Sequence, residues 1–170
     1  LISGAGWGAL EARRAGGSPR GLAFPAAGLG AEQEKWLGLL ERGELNAQDP
    51  GDLPGEWMVQ AEWEALLETS PSKNWLAWLH LGVMRMERFD EEGAEQAWRE
   101  SIRLAPSAWA YRNLALLSLR RGDAERALEE YQQAWQLAGD NPPAGLAVEY
   151  LRILQSTGQA VVNPDTPPSR

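Results

Sequence analysis

The sequence predicts an all-α protein, a solenoid of about three stacked helical hairpins, on three observations. Displaced by 33 residues, the stretch from Asn74 to Asp140 matches itself in side-chain size and polarity. The matched pairs are Trp78 with Tyr111, Leu81 with Leu114, Gly82 with Ala115, Ala94 with Ala127, Trp98 with Tyr131, and Leu104 with Leu137. Apolar residues recur at helical spacing, and helix start and stop signals agree with this period. A fixed period in this range is typical of repeat proteins made of helix pairs.

Capping residues define the predicted helices. Asp90, Ser107 and Asp123 each precede an amphipathic run, where their side chains accept from unpaired backbone N–H groups. Glycines follow several runs and favour a left-handed helix end. The predicted helices are Ala31–Arg42, about Glu56–Thr69, Asn74 (or Ser72) to about Arg88, Glu91–Leu104, Ala108–Arg121, Ala124–Ala138, and one opened by Asn141 and Pro142 that reaches about Ser156.

These helices divide the chain into segments. Residues 31–157 form the predicted solenoid: a divergent hairpin over 31–71 with an expanded loop over 44–55, a first copy of the repeat over 74–106, a second copy over 107–140 and a half repeat over 141–157. Residues 1–30 are rich in Gly, Ala and Pro, so we expect an extended arm with a helical turn or two near Trp7 and Leu10. Residues 158–170 have the composition of a flexible tail.

Composition excludes several classes of function. Acidic residues outnumber Lys and Arg by 24 to 16, for a net charge of −8, which disfavours a nucleic-acid partner. The sequence has no cysteine and no apolar run long enough for a membrane span, so we expect neither disulfides nor membrane insertion. The chain starts at Leu1 without an initiator Met or a secretory leader, so we expect a piece of a longer polypeptide in the cytoplasm.

No constellation for catalysis, a cofactor or a metal is visible. His80 is the only histidine, and Val83 and Met84 occupy the positions where a second ligand on the same helix face would stand. The acidic run Asp90 to Glu92 is interpreted as a helix cap with a charged first turn. We therefore expect a binding module without enzymatic activity and without a cofactor.

Residues of the first copy resemble a known repeat. Trp78, Leu81, Gly82, Ala94, Trp98 and Pro106 stand at the separations of the tetratricopeptide repeat (TPR). The second copy departs from that pattern at Ala115 and Gly139. The resemblance implies a right-handed α-α superhelix whose first helices line a concave groove for a protein or peptide partner. Carried over by position, the groove residues are Leu76, Leu79, His80, Val83, Trp109, Arg112, Asn113, Leu116, Val148, Glu149 and Arg152.

Three functional hypotheses follow. The first is an interaction scaffold whose groove takes up a peptide or a segment of its own chain. A second comes from a wider resemblance, carried by Gly6–Glu11, Glu32–Gln33, Trp36–Leu37 and Trp75–Val83, to the C-terminal region of large bacterial proteins that have a domain of unknown function of the carbohydrate-associated β-supersandwich type. That resemblance implies a structural or accessory tail of a larger carbohydrate-active enzyme, packed on another domain of its own chain.

The third hypothesis is a homodimer formed through the last helix, because Leu151, Ile153 and Leu154 have no following helix to cover them.

The nine tryptophans are also assigned by position. Those expected on packing faces are Trp36, Trp63, Trp78, Trp98 and Trp135; Trp75 and Trp109 are expected to be partly exposed, and Trp7 and Trp57 are unassigned.

Overall fold

The computed structural model of the chain describes residues 5–18, 20–21, 24, 29–140 and 142–156. Every regular element in this part is an α-helix, which confirms the all-α class predicted from the sequence. The helices are α1 (Ala5–Arg14), α2 (Ala31–Arg42), α3 (Ala61–Thr69), α4 (Trp75–Glu87), α5 (Glu91–Leu104), α6 (Ala108–Arg120), α7 (Ala124–Ala138) and α8 (Ala144–Ser156). They belong to two compact units, Leu1–Leu104 and Ala105–Arg170.

The predicted caps form where the sequence places them. Asn74 accepts a hydrogen bond from the Ala77 N–H at 3.0 Å, and the Ser107 hydroxyl accepts from the Ala110 N–H at 3.2 Å. Gly43 ends α2 in the left-handed conformation, with φ of 74°. These local signals therefore fix the bounds of α2 and the central four helices to within a residue of the prediction.

In the first unit, α4 and α5 form a tightly closed hairpin. The indole ring of Trp98 lies directly on Gly82, where an added Cβ would stand 2.2 Å from the indole nitrogen. That nitrogen donates to the Leu79 carbonyl at 3.3 Å, and the buried Ser101 hydroxyl donates to the Trp75 carbonyl at 2.8 Å. Position 82 therefore requires glycine, because any side chain there would overlap the Trp98 ring.

The N-terminal region corrects the prediction of an extended arm. Residues 5–14 form α1, which packs against α2, and Leu10 is completely buried. Glu11 of α1 also accepts a hydrogen bond from the indole nitrogen of Trp63 in α3. Because these tertiary contacts supply the apolar burial that the Gly- and Ala-rich segment lacks alone, the helix extends beyond the predicted turn or two.

Two helices begin later than predicted. Helix α3 starts at Ala61 instead of Glu56, because residues 56–60 are held by tertiary contacts described below. Helix α8 starts at Ala144, and the Pro143 carbonyl accepts its first hydrogen bond, from the Ala147 N–H at 3.2 Å. Pro143 disfavours helical geometry at Pro142, which explains the delay. The predicted cap Asn141 and tail 158–170 lie outside the described residues.

The second unit consists of the α6–α7 hairpin with α8 packed on α7. Its hydrophobic core includes the ring of one tyrosine. The buried members are Ala115, Leu128, Tyr131, Ala134, Leu146, Ile153 and Leu154. Tyr131 stacks on Tyr150 of α8 with ring centroids 5.8 Å apart, so aromatic contact helps to hold α8 in place.

Candidate functional site

The groove residues predicted in the first copy are not open to solvent. Leu76 and Leu79 are completely buried, His80 is 1% exposed, and only Val83 is half-buried. Three of the four are therefore inaccessible to a partner in this structure, and their assignment to a groove stays a prediction. The same face of α4 is instead in contact with another segment of the chain.

We call that segment the strap; it comprises residues 44–60, between α2 and α3, and contains no helix or strand. Three side chains along α4 or at its ends donate hydrogen bonds to strap carbonyls. They are Asn74 to Leu45 at 2.7 Å, Trp75 to Gln48 at 3.2 Å and Arg88 to Val59 at 3.4 Å. Because the carbonyls are met in the same order as the donors, the strap runs along α4 from its first turn to its last.

The strap also contacts α2. The Asn46 N–H donates to the Lys35 carbonyl at 3.2 Å, and the Asn46 side chain donates to the Glu34 carbonyl at 3.0 Å. Lys35 donates to the Pro54 carbonyl at 3.5 Å. Two of these bonds use main-chain groups of the strap, and the third uses the Asn46 side chain.

The strap has both buried and exposed apolar side chains. Leu45, Pro54 and Met58 are buried. Leu53, Trp57 and Val59 remain exposed, Trp57 to 38%. The strap is therefore anchored by a few apolar contacts and by backbone hydrogen bonds, without the continuous burial of a core element.

His80 lies under the strap between two tryptophans. Its ring meets Trp36 of α2 at 4.8 Å and Trp57 of the strap at 4.9 Å, both edge-to-face. Neither ring nitrogen has a hydrogen-bond partner in the part of the chain that the structure describes. Burial and the charge of Lys35 lower the pKa of His80 to about 3, although the Pro54 carbonyl acts in the opposite direction. His80 is consequently neutral and unsatisfied while the strap is in place.

We call the surface that contacts the strap the strap-binding face. Its polar members include Glu32, Lys35, Arg42, Asn74, Trp75, His80 and Arg88. Sequence reasoning identified Asn74 only as a cap, expected Trp75 to be partly exposed although it is buried, and left Trp57 unassigned. The signal that points to this site is the length of the irregular segment, because loops beyond about 12–15 residues are uncommon unless they have a function.

The predicted groove residues of the second unit are brought together into a polar cluster. Arg112 of α6 donates two hydrogen bonds to the Glu149 carboxylate of α8, at 2.7 and 2.6 Å. The Tyr131 hydroxyl donates to the same carboxylate. Arg112 also donates to the Asn113 side-chain oxygen at 3.2 Å. This cluster attaches α8 to the hairpin. Arg112 and Glu149, both predicted to contact a partner, bind each other in this structure.

The pKa values of the cluster follow from these bonds. Burial alone would raise the pKa of Glu149, but hydrogen bonds from Arg112 and Tyr131 outweigh burial and hold it below its ordinary value. Burial and the Glu149 carboxylate raise the pKa of Tyr131. The carboxylate is therefore ionised and the phenol protonated at neutral pH.

The other predicted residues of this unit differ in their environment. Asn113 is buried, and its amide nitrogen has no partner within the described part of the chain. Trp109 and Leu116 are half-buried. Val148, exposed to 48%, and Arg152 lie on the open side of α8.

The predicted dimer surface on α8 requires a correction. Ile153 and Leu154 are buried in the core of the second unit, against α7, and are not available to a second copy of the chain. Leu151 is exposed to 42%. The hypothesis of a homodimer through α8 thus loses two of the three residues on which it was based.

The remaining tryptophans follow the sequence assignment in part. Trp36, Trp63 and Trp98 are buried as predicted, whereas Trp78 and Trp135 are half-buried. Among the described residues, no three His, Asp or Glu side chains are placed to hold a metal ion. No helix in the described ranges has both the length and the apolar character needed to cross a bilayer.

Comparisons with known proteins found no match among protein-family models, curated proteins or solved structures. The resemblance of residues 74–140 to the TPR stays a prediction from the sequence. The contacts of the strap and of the Glu149 cluster therefore carry the functional argument.

Proposed function

We propose that this chain is a TPR-like interaction module, without catalytic activity, that binds a peptide or a partner segment on its strap-binding face. One observation carries this proposal: the face already holds a non-helical segment of its own chain through side-chain groups that donate hydrogen bonds to backbone carbonyls. Backbone recognition of this kind is how helical and sheet scaffolds accept peptides of varied sequence, while apolar pockets add selectivity.

Asn74 gives the proposal its most specific residue. Its side-chain oxygen caps α4 and its amide nitrogen donates to the Leu45 carbonyl, so one side chain fulfils both tasks. The second copy has Ser107 at the corresponding position, a residue that caps its helix and has no side-chain amide. The extra donor at position 74 is therefore not needed for folding a hairpin of this type, which supports a role in holding the strap or a peptide.

The test uses the full chain with Trp57→Ala and Met58→Ala, which we call the strap-weakened variant. Binding of a fluorescein-labelled peptide with the sequence of residues 44–60 is measured by anisotropy. We expect saturable binding, and we expect Asn74→Ser to weaken it about fivefold to tenfold because one hydrogen bond of about 1 kcal/mol is lost. Asn74→Ser retains a capping hydroxyl, so the helix start is preserved.

Arg88→Ala and Arg121→Ala form a matched pair, because the two positions correspond in the two copies. Arg88 contacts the strap and Arg121 lies in the second unit. Arg88→Ala should weaken peptide binding and Arg121→Ala should leave it unchanged, with circular dichroism as a check on folding. Absence of saturable binding up to millimolar peptide would refute the proposed function.

A further inference from the structure

The turn between α4 and α5 contains a residue that the fold does not require. Phe89 has a φ of 62°, in the left-handed region that favours glycine, and its side chain is 76% exposed. The corresponding turn of the second unit has Gly122, with a φ of 81°. A bulky side chain is unfavourable in this conformation, and backbone strain of this kind is a reason to look for a function. Folding of the hairpin therefore does not explain the exposed aromatic ring at position 89.

The end of the strap is attached beside this turn. Arg88, which precedes Phe89, donates a hydrogen bond to the Val59 carbonyl at 3.4 Å. Val59 and Trp57 are both exposed, and they flank Met58, which is buried. Exposed side chains on either side of a buried one place Trp57 and Val59 on the outer surface of the strap. We call Trp57, Val59 and Phe89 the outer patch; exposed apolar groups brought together in this way are typical of interaction sites.

The charges around the outer patch are acidic. Five exposed carboxylates that have no ion pair within the described residues lie within three positions of its members along the chain. They are Glu56, Glu62, Glu87, Asp90 and Glu92. The cations nearby are neutralised, because Arg88 pairs with Glu64 at 2.7 Å and Arg85 pairs with Glu68 at 3.3 Å. An apolar surface with an acidic rim is complementary to apolar side chains accompanied by Lys or Arg.

The same charges disfavour other occupants of the outer patch. The phosphates of nucleic acid or of anionic lipid headgroups would approach groups of like charge. A second copy of the chain, related by a two-fold axis, would bring these carboxylates against their own counterparts. Because like charges placed together are costly, a basic segment of a protein partner fits the surface best.

We infer that the outer patch binds a short segment of a protein partner in which Lys or Arg accompanies large apolar side chains. The apolar side chains of the partner pack on Trp57, Val59 and Phe89, and its cations lie against the carboxylates of the rim. This surface exists while the strap is in place, so the inference does not rest on the function proposed above.

The experiment measures binding of two fluorescein-labelled synthetic peptides to the full chain by anisotropy, at low salt because ions screen surface charges. The basic peptide repeats the unit Lys-Leu-Phe-Lys, and the acidic control peptide repeats Glu-Leu-Phe-Glu. We expect saturable binding of the basic peptide alone. Phe89→Gly should weaken that binding about tenfold, because an aromatic contact is lost. The turn is preserved, since Gly122 has the same conformation in the second unit.

A second pair of variants tests the charge of the partner. Glu56→Gln combined with Glu87→Gln removes two carboxylates of the rim and should weaken binding of the basic peptide about fivefold. Glu125→Gln combined with Glu129→Gln is the matched control, because it removes two exposed carboxylates from the second unit. The control should leave the affinity unchanged, and circular dichroism checks the folding of each variant.

Each contrary outcome overturns a stated part of the inference. Absence of saturable binding, or equal affinity of Phe89→Gly and the unmodified chain, overturns the outer patch as a binding site. Equal binding of the two peptides, or equal losses in the two carboxylate pairs, overturns the basic partner. A dimer in sedimentation that Phe89→Gly abolishes would assign the surface to a second copy instead. Val59→Thr, at an exposed position, should also weaken binding and replaces Phe89→Gly should that variant fail to fold.

Discussion

The two copies of the repeat have the same hairpin but different neighbours on it. In the first copy, a non-helical strap lies on α4 and covers His80; in the second, Glu149 of α8 binds Arg112 of α6. His80 and Asn113 occupy corresponding positions, and each has a buried nitrogen without a partner in the described residues. The comparison indicates that the period specifies the hairpin, whereas the segment that covers the first helix decides what each position does.

The packing inside the two hairpins differs in a matched way. Trp98 lies on Gly82 and donates back to its own hairpin, whereas Tyr131, opposite Ala115, donates to Glu149 in the next helix. Gly82 pairs with the larger indole ring of Trp98, and Ala115 pairs with the smaller ring of Tyr131. Both members of the pair therefore differ between the two copies. The second copy uses its ring hydroxyl to hold the helix that follows.

The largest predicted effect comes from exchanging this pair. Gly82→Ala should lower the free energy of unfolding by about 3 kcal/mol, because the new methyl group overlaps the Trp98 indole. Gly82→Ala combined with Trp98→Tyr recreates the second-copy pair and should recover part of that loss. Urea denaturation measures both, and a double variant less stable than Gly82→Ala would contradict the equivalence of the copies.

A smaller effect is predicted for the polar cluster of the second unit. Glu149→Gln should cost about 2 kcal/mol, because the charge-assisted bonds from Arg112 to α8 weaken. The lowered pKa of Glu149 means that this contribution is present above about pH 4.5 and is lost as pH falls through the pKa of the folded chain. Faster hydrogen exchange in α8 should accompany this loss of stability. Unchanged exchange would show that the cluster does not stabilise α8.

Replacement of His80, unlike that of Glu149, is predicted to stabilise the protein at neutral pH. His80→Leu should stabilise the first unit by about 1 kcal/mol, because two unsatisfied buried nitrogens are replaced by carbon. Asn113→Leu is the matched control. It should stabilise the second unit by less, since the Asn113 side-chain oxygen accepts a hydrogen bond from Arg112 that would be lost.

The same histidine gives a separate dependence on pH. With a pKa of about 3 in the folded chain and 6.5 in the unfolded chain, only the unfolded chain takes up this proton between those values. Stability should therefore fall as pH drops below about 6.5, with a slope that approaches about 1.4 kcal/mol per pH unit. His80→Leu should flatten this slope between pH 6 and 5, where Glu149 remains ionised. An unchanged slope would show that His80 is not buried as described.

The smallest predicted effect concerns the turn between α4 and α5. Phe89 has a φ of 62° and is 76% exposed, while the corresponding Gly122 has a φ of 81°. Phe89→Gly should raise the free energy of unfolding by about 0.5 kcal/mol, because the relief of left-handed strain exceeds the added freedom of the unfolded chain. Thermal unfolding checks the sign, and Gly122→Phe should be destabilising.

The sequence predicts the helices well and the candidate site poorly, for a physical reason. Caps and glycine stops such as Asn74, Ser107 and Gly43 act within a few residues, so their effect can be inferred from local sequence. The strap is held by contacts to residues distant along the chain, between Leu45 and Asn74 or Val59 and Arg88. No local pattern encodes these pairings, and the late start of α3 follows from the same contacts.

Whether a residue of the repeat is exposed depends on which segment covers its helix, and the repeat pattern does not contain this information. Arg112 and Glu149 were both placed in a groove, and the structure joins them to each other. His80 was placed beside them in that groove and is buried under Trp57. Whether a helix face that the pattern names is free therefore depends on segments outside the repeat.

The most direct test of the account is hydrogen exchange of the strap in the full chain, with and without a saturating peptide that has the sequence of residues 44–60. The Asn46 N–H bonds the Lys35 carbonyl and the Glu56 N–H bonds the Glu32 carboxylate, so both should exchange slowly in the free protein. We predict that bound peptide raises exchange across residues 44–60 and leaves α6 and α7 unchanged. Peptide that saturates the protein while exchange of the strap stays the same would contradict the claim that strap and partner occupy one face.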